Sequence, residues 1–420
     1  MPRHWDCLPL LAVAREREEP NAGLIEANLL SLSYGEVVAK DSSSNDGLLP
    51  ESFETYQIVH PGDVVFRLTD LQNDKRSLRT AVVRERGIIT SAYTAVVPMN
   101  IESSYLGYLL RAYDCDKVFY SMGGGLRQSM KYSDIKRLPV LVAPAVERRF
   151  IVDFLDEQSV TLSALIAEQT RLIAVLREER RAIISHAVTR GLNPDATMKD
   201  SGGEWLGRVP AHWEVRRVKS LATFVTSGPR GWSERVAEEG SLFVQSGDLD
   251  EDMRIEFSSV KRVRVPSDAE AARCRLCDGD VVICITGAKT GNVAICKSVP
   301  EEAYINQHLC LVRPGCEVSP EFLALVLKSG AGQTYFERSQ YGLKQGLLLD
   351  AVGDTPVPLP PRAEQDAIVG AIFGVVERFR RLMVEAERAI ALLQERRTAL
   401  ISAAVTGKID VRGMATGAAV

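Results

Sequence analysis

Side chains able to carry chemistry are thinly spread along this 420-residue chain. Cys274 and Cys277 stand at the spacing of half a structural zinc site, but such a site needs a second close pair, and Cys284, Cys296, Cys310 and Cys316 are not spaced that way. The five histidines are scattered, and none belongs to a His-Glu-x-x-His arrangement. The turn from Gly287 to Asn292 carries a lysine and a threonine yet lacks the spacing of a nucleotide-binding glycine-rich loop. Asp248 and Asp250 form an acidic pair of a kind that is cheap in any sequence, and no constellation supplies nucleophile, base and oxyanion donor together. No Asn/Asp-Pro-Pro-aromatic run of the amino-methyltransferase kind is present. The reading is a chain with no catalytic residue, no metal and no cofactor of its own.

What the residue types do allow is recognition of DNA, which needs Arg, Lys, Asn and Gln on loops that reach base edges or phosphates. Arg67, Lys75, Arg76 and Arg79 form a basic cluster after the strand-like run Asp63-Val64-Val65. Lys289, Thr290 and Asn292 occupy the corresponding turn after Asp280-Val281-Val282. Two glycine-bearing loops place a basic residue beside glutamine, Arg127 with Gln128 and Lys344 with Gln345; their glycines allow close approach to a phosphate, so backbone contact or domain packing is expected of them. Gln245 and Gln307 complete the candidates. The same residues also suit solvated hairpin tips. Trp205, His212 and Trp213 are expected to pack an opening strand instead of touching DNA.

The loops need a frame, and the frame is a duplication. Gly125-Leu126-Arg127-Gln128 and Gly342-Leu343-Lys344-Gln345 lie 217 positions apart, and the offset runs without a gap to Thr189 and Thr406, with 23 of 65 positions identical. Gly62-Asp63-Val64-Val65 and Gly279-Asp280-Val281-Val282 share the offset, whereas His4-Trp5 and His212-Trp213 stand 208 apart, so intervening loops differ in length. Each half reads as an α+β globule, then a proline-rich extended strut (Pro139 to Pro144, Pro356 to Pro361), then a long helix on the order of 60 Å. Apolar Ile151, Leu155, Leu162, Leu165, Leu172, Leu176 and Ile183 give coiled-coil spacing, and Gly191 and Gly407 stop the helices. Connectivity favours an antiparallel pair with a globule at each end and a pseudo-twofold axis; the spacing also suits a homodimeric coiled coil. The expected division is a first recognition domain over 1–144, a spacer helix over 145–190, a linker over 191–203, a second domain over 204–361, a second helix over 362–406 and a tail over 407–420.

Apolar residues at 45% and charged residues at 25% are ordinary for a globular protein, and the length calls for two or three domains. A net charge of −4 disfavours a free-standing protein that grips DNA by bulk charge, so basic residues are segregated or partners supply part of the grip. No secretory signal and no run of eighteen uninterrupted apolar residues is visible, and the eight cysteines fit reduced thiols; the cytoplasm is expected.

The segment from Met198 through Trp205-Leu206-Gly207 and His212-Trp213 to Val215 resembles the opening motif of a target recognition domain in the DNA-specificity subunits of type I restriction-modification systems. Glu178 to Leu192 and Leu400 to Asp410 resemble that family's two spacer-helix ends, and with the Gly-Leu-Arg/Lys-Gln loops the likeness covers nearly the whole chain. The resemblance implies a non-catalytic subunit whose two recognition domains read the halves of a split, asymmetric double-stranded DNA target. Two methyltransferase subunits would dock on it and restriction subunits would join them, with S-adenosylmethionine, ATP and Mg on those partners. The first copy departs from the pattern in lacking the part before His4-Trp5, so weaker or differently braced docking of that domain is expected. The rival reading is a coiled-coil protein-interaction scaffold without DNA specificity.

Overall fold

The computed structural model describes residues 2–33, 35–40, 52–69, 78–122, 129–266, 269–341 and 346–414. Helices and strands are mixed, and the chain divides into two compact units, Met1–Thr170 with Glu387–Val420, and Arg171–Ala386. The two long helices, Ala145–Arg190 and Arg362–Val405, contribute residues to both.

In the first unit the opening strand Asp6–Pro9 pairs antiparallel with Pro139–Val142, so the proline-rich strut is one strand of a two-stranded ribbon. Proline lacks an N–H, and a ribbon strand has an unpaired side where that loss costs nothing. A four-stranded antiparallel sheet follows in the order Ala14–Glu16, Thr94–Pro98, Val64–Phe66, Thr80–Val82. Helix Ser103–Cys115 buries Tyr105, Leu106, Leu109 and Leu110, residues at helical spacing, in the core beside that sheet. The same core takes in Ile151 and Leu155 from the first long helix, Ala404 and Val405 from the second, and Val411 beyond it.

The second unit repeats the plan. Glu214–Arg217 pairs with Pro356–Leu359, and a sheet runs Ala222–Ser227, Leu309–Pro314, Val281–Cys284, Val293–Ile295, the strand order of the first unit. Helix Pro320–Lys328 starts with proline in its first turn and Ser319 as cap, whose hydroxyl accepts from the Phe322 N–H. A second four-stranded sheet runs Val236–Ala237, Lys261–Val263, Ser241–Val244, Ala303–Ile305, where the first unit has two strand pairs, Leu30–Ser33 with Glu36–Ala39 and Gln57–Val59 with Gly87–Ile89, joined by a bridge between Leu29 and Ile88. The second sheet explains the unbroken apolar run Val281–Cys284: Val281 and Ile283 enter the core shared with the helices, while Val282 and Cys284 face Phe243 and its neighbours, so both faces are covered.

Each unit is closed by a clamp on the His-Trp motif. The Glu147 carboxylate, in the first turn of the long helix, bonds His4 Nε2 at 2.8 Å and accepts from Trp5 Nε1 at 2.9 Å. Glu364, 217 residues on, bonds His212 Nε2 at 2.8 Å, whereas the Nε1 of fully buried Trp213 has no acceptor. Both helix-ending glycines are left-handed, Gly191 at φ +77° and Gly407 at φ +66°. A Cβ on either would stand 3.2 Å from a tryptophan ring, Trp213 for Gly191 and Trp5 for Gly407. The two clamps therefore differ in their tryptophan partner, and residues beyond the second long helix pack on the first unit, with Val411 buried in its core.

The helices depart from the expected seam. Leu165, Leu172 and Ile183 are exposed, and the buried positions of the first helix are led by Ile151, Leu162, Ile173 and Ile184, each eleven residues from the next. Eleven residues in three turns is 3.67 per turn, close to an unstrained α-helix, so the buried stripe follows the helix's own period instead of the heptad period of a left-handed supercoil. The exposed apolar side chains leave one window of this helix, with mean hydropathy 1.3, long and apolar enough by length and composition to cross a membrane.

Candidate nucleic-acid interface

The Gly-Asp repeat fixes where each candidate loop begins. Gly62 and Gly279 take φ of +95° and +90°, and the aspartate that follows turns back to accept the N–H three residues upstream, His60 to Asp63 at 2.9 Å and Cys277 to Asp280 at 2.7 Å. Both aspartates are buried and take a two-pronged arginine. Arg17 reaches Asp63 at 2.8 and 3.0 Å, and Arg313 reaches Asp280 at 2.8 Å through both nitrogens. The arginines are not repeat equivalents: Arg313 lies in strand Leu309–Pro314, whereas Arg17 follows the neighbouring strand Ala14–Glu16. The duplication preserved the buried pair while the partner changed strand.

The frame also joins two loops in each unit. Leu68 carbonyl accepts from Met130 N–H at 2.9 Å, and Ile285 carbonyl from Leu347 N–H at 2.8 Å, residues 217 apart on both sides. The base of each glycine-bearing loop is thus tied to the exit of the Gly-Asp-Val-Val strand. In the second unit Tyr341 and Gly346 exchange backbone bonds of 3.0 and 3.2 Å, and Gly346 stands so close to Thr286 that a Cβ would meet its methyl at 3.1 Å. Lys75, Arg76, Arg127, Gln128, Lys344 and Gln345 lie outside the described residues. Arg67 is half-buried, its N–H donating to the Arg79 carbonyl at 2.8 Å. Arg79 corrects the sequence expectation. It is fully buried, and its guanidinium donates to the Thr69 carbonyl at 2.7 Å and lies over the Tyr120 ring, so it supports the hairpin base from within.

Three turns of the second unit meet, because Asn306 N–H donates to Val244 carbonyl at 3.0 Å and Ile285 N–H to His308 carbonyl at 2.9 Å. They gather Gln245, Lys289, Thr290, Asn292 and Gln307. Lys289 is exposed; Gln245, Thr290 and Gln307 are half-buried. Asn292 is a brace: its amide donates to the Leu249 and Asp250 carbonyls at 3.3 and 3.2 Å, and its oxygen accepts from Lys328 Nζ at 2.5 Å. Lys289 Nζ donates to the Gly247 and Leu249 carbonyls at 3.0 and 3.1 Å, which leaves one of its three donors for a ligand. Gln307 Nε2 bonds His308 Nε2 at 3.3 Å, and His308 Nδ1 bonds Thr286 Oγ1 at 2.8 Å.

Beside this cluster opens a cleft of about 760 Å³ lined by Lys289 and Thr290, by Arg177, Arg180 and Arg181 of the first long helix, by the Asp250–Asp252 turn and by Lys328. Sequence reasoning passed over these helix arginines, which sit in a charged run read as a solvated spacer, and over Lys328. The available signal was the lone cation ending the apolar run Phe322 to Leu327. Cys274 and Cys277 point to different surroundings, the former buried with its thiol 3.4 Å from the Ser227 carbonyl and the latter exposed.

A comparison with known protein families finds no match. A protein of Methanocaldococcus jannaschii named as the MjaX type I restriction enzyme specificity subunit is 24% identical over 325 residues, 74% of this chain and 69% of that one. By sequence the chain is similar to a type I restriction enzyme specificity subunit. A chain from a structural study of assembly and conformational transition in the type I R-M system superposes with TM-score 0.67 over 97% of this chain and 99% of that one, at 16% identity, and so has the same fold. The crystal structure of an HsdS subunit from Thermoanaerobacter tengcongensis aligns over 97% and 98% of the two chains, at 16% identity and TM-score 0.47.

Proposed function

We propose that the chain is a DNA-specificity subunit that reads a bipartite, asymmetric target with two recognition domains and docks methyltransferase subunits, through which restriction subunits join. The observation that carries this reading is the equivalence of the two frames. Leu68 with Met130 and Ile285 with Leu347 make the same bond 217 residues apart, yet the hairpins they support are basic in one unit and Lys-Thr-Asn in the other. Two matched frames bearing unlike loops suit two different half-sites.

In this reading the domains are 1–144 and 204–361, with 145–190 and 362–406 as an antiparallel helical spacer, the linker 191–203 between the first helix and the second domain, and 407–420 as the tail. Supporting the antiparallel course, the first helix lends Ile151 to the first unit's core and Ile184 to the second's, while the second helix lends Ile372 and Val405 in the opposite order. Exposed Val160 and Leu165 on one helix, and Leu382 and Val384 on the other, offer apolar surface for the methyltransferase subunits; a protein partner, not a lipid bilayer, covers it, in keeping with a cytoplasmic complex. S-adenosylmethionine, ATP and Mg belong to the partner subunits. Arg67, Lys289, Thr290, Gln245 and Gln307, together with Lys75, Arg76, Arg127, Gln128, Lys344 and Gln345, face the DNA, and Arg79 and Asn292 hold the loops that do so.

The test is co-expression with a candidate methyltransferase subunit, followed by single-molecule mapping of methylated adenine. A split motif that depends on this chain is expected. No motif from a stable complex would favour the interaction scaffold.

A further inference from the structure

The cleft beside the Lys289 turn holds charges of both signs in an unequal arrangement. Its walls present Arg177, Arg180, Arg181, Lys289 and Lys328, and the carboxylates facing them come chiefly from one short turn, Asp250–Asp252. That turn is rigid. The Asp250 carboxylate accepts from the N–H groups of Asp252 and Arg254 at 2.8 and 2.7 Å, and Met253 is held in the left-handed region at φ +61° with its side chain buried. So fixed, the turn presents Asp252 to Arg180 in a close ion pair and Glu251 to Arg177 at 3.6 Å. Among the described residues, Lys328 and Arg181 have no carboxylate partner. Lys328 donates to the neutral Asn292 amide oxygen, and burial, with Arg180 nearby, holds its ammonium below the ordinary lysine range. A largely buried ammonium facing a cleft without a counter-ion gains most from an anion that brings its charge in.

We propose that this cleft seats a backbone phosphate of DNA flanking the second half-site, on Lys328, Arg181 and the free donor of Lys289, and that the Asp250–Asp252 turn occupies it as a fixed carboxylate competitor. This rests on the DNA-reading function proposed above and adds to it a second contact region on the spacer helix. The phosphodiester replaces the acidic turn as the counter-ion of the arginines, and the competition keeps the region from gripping DNA by charge alone. A contact of this kind positions without reading sequence. The net charge of −4 then has a local counterpart, since basic residues of the interface are shielded until a correctly placed phosphate arrives.

The full chain would be titrated by fluorescence anisotropy with a labelled 40-base-pair duplex of mixed sequence, from about 50 to 250 mM KCl, where each phosphate contact contributes about 0.9 to the logarithmic salt slope. Lys328→Met, which keeps the packing volume, and Arg181→Ala, at an exposed position, are each expected to flatten that slope by about one contact. Asp252→Asn and Glu251→Gln are expected to tighten binding about threefold to tenfold, as loss of one repelling charge at this range implies. Glu251 is exposed, so its variant tests the competitor without touching the fold. Wild-type slope and affinity in Lys328→Met and Arg181→Ala, with salt-dependent binding by the parent chain, would overturn the phosphate seat alone. Unchanged or weaker binding by both Asp252→Asn and Glu251→Gln would overturn the competitor. A parent chain whose affinity does not respond to salt would remove the DNA reading itself.

Discussion

Glu147 and Glu364 occupy equivalent places and do unequal work. Burial pushes the Glu147 carboxyl up, but hydrogen bonds from Trp5 and His4 outweigh it and leave the group below its ordinary value. A carboxyl lowered in the folded state contributes stability that is complete above its unfolded value and lost as pH falls through the folded one. Glu147→Ala strands the buried Trp5 N–H and is expected to cost about 1–3 kcal/mol in urea denaturation, whereas Glu364→Ala, which leaves Trp213 as unpartnered as before, costs less. The Glu147→Ala deficit should shrink as pH falls below the ordinary carboxylate range and the parent group protonates; equal costs at both sites would contradict the asymmetry. This scale was the least legible in sequence. Lys289 and Thr290 were singled out because their turn matches one in the other repeat, but Arg79 has the composition of a DNA contact and the burial of a core residue, and nothing local separates the two. The pairing of Arg180 with Asp252 joins residues 72 apart and had no local signal.

Helix limits were legible because prolines and glycines act through their own backbones: 145–190 and 362–406 compare with Ala145–Arg190 and Arg362–Val405. The strand-like runs after Asp63 and Asp280 likewise correspond to strands Val64–Phe66 and Val281–Cys284. Which side of a long helix is buried was not legible, because leucines recur at both seven and eleven residues and only the packed neighbours choose between them. Leu162 lies on the buried stripe and Leu165 off it, so Leu162→Ala should lower stability by about 2–4 kcal/mol and Leu165→Lys by no more than about 0.5. Urea denaturation of the isolated chain reads both; the reverse ranking would restore the heptad. The second sheet of the second unit was also missed: Ala303–Ile305 overlaps the first unit's Gly87–Ile89 at the 217-residue offset, and each pairs in parallel with an earlier segment, but that earlier segment lies where unequal loops have shifted the register of the repeat.

At the scale of the whole molecule, each unit owns its sheet, its helix ends and its clamp, and under the proposed function each would read its own half-site. Replacing residues 204–361 by the matching part of another specificity subunit should change one half of the methylated motif and leave the other, and a hybrid with an unchanged motif would refute the division of labour. The duplication was plain in the sequence; the meeting of Gly407 with Trp5 was not, because it joins residues some 400 positions apart with no local signal. That contact sets an order of birth. A ribosome delivers the first unit's sheet well before Ala404, Val405 and Val411 of the same core. At about 5–20 residues per second the early half waits on the order of ten to fifty seconds for them, while the second unit is fully synthesised by Ala386. Of the two units, the one begun earlier is completed later, so its sheet stays without part of its core while the other unit is made whole.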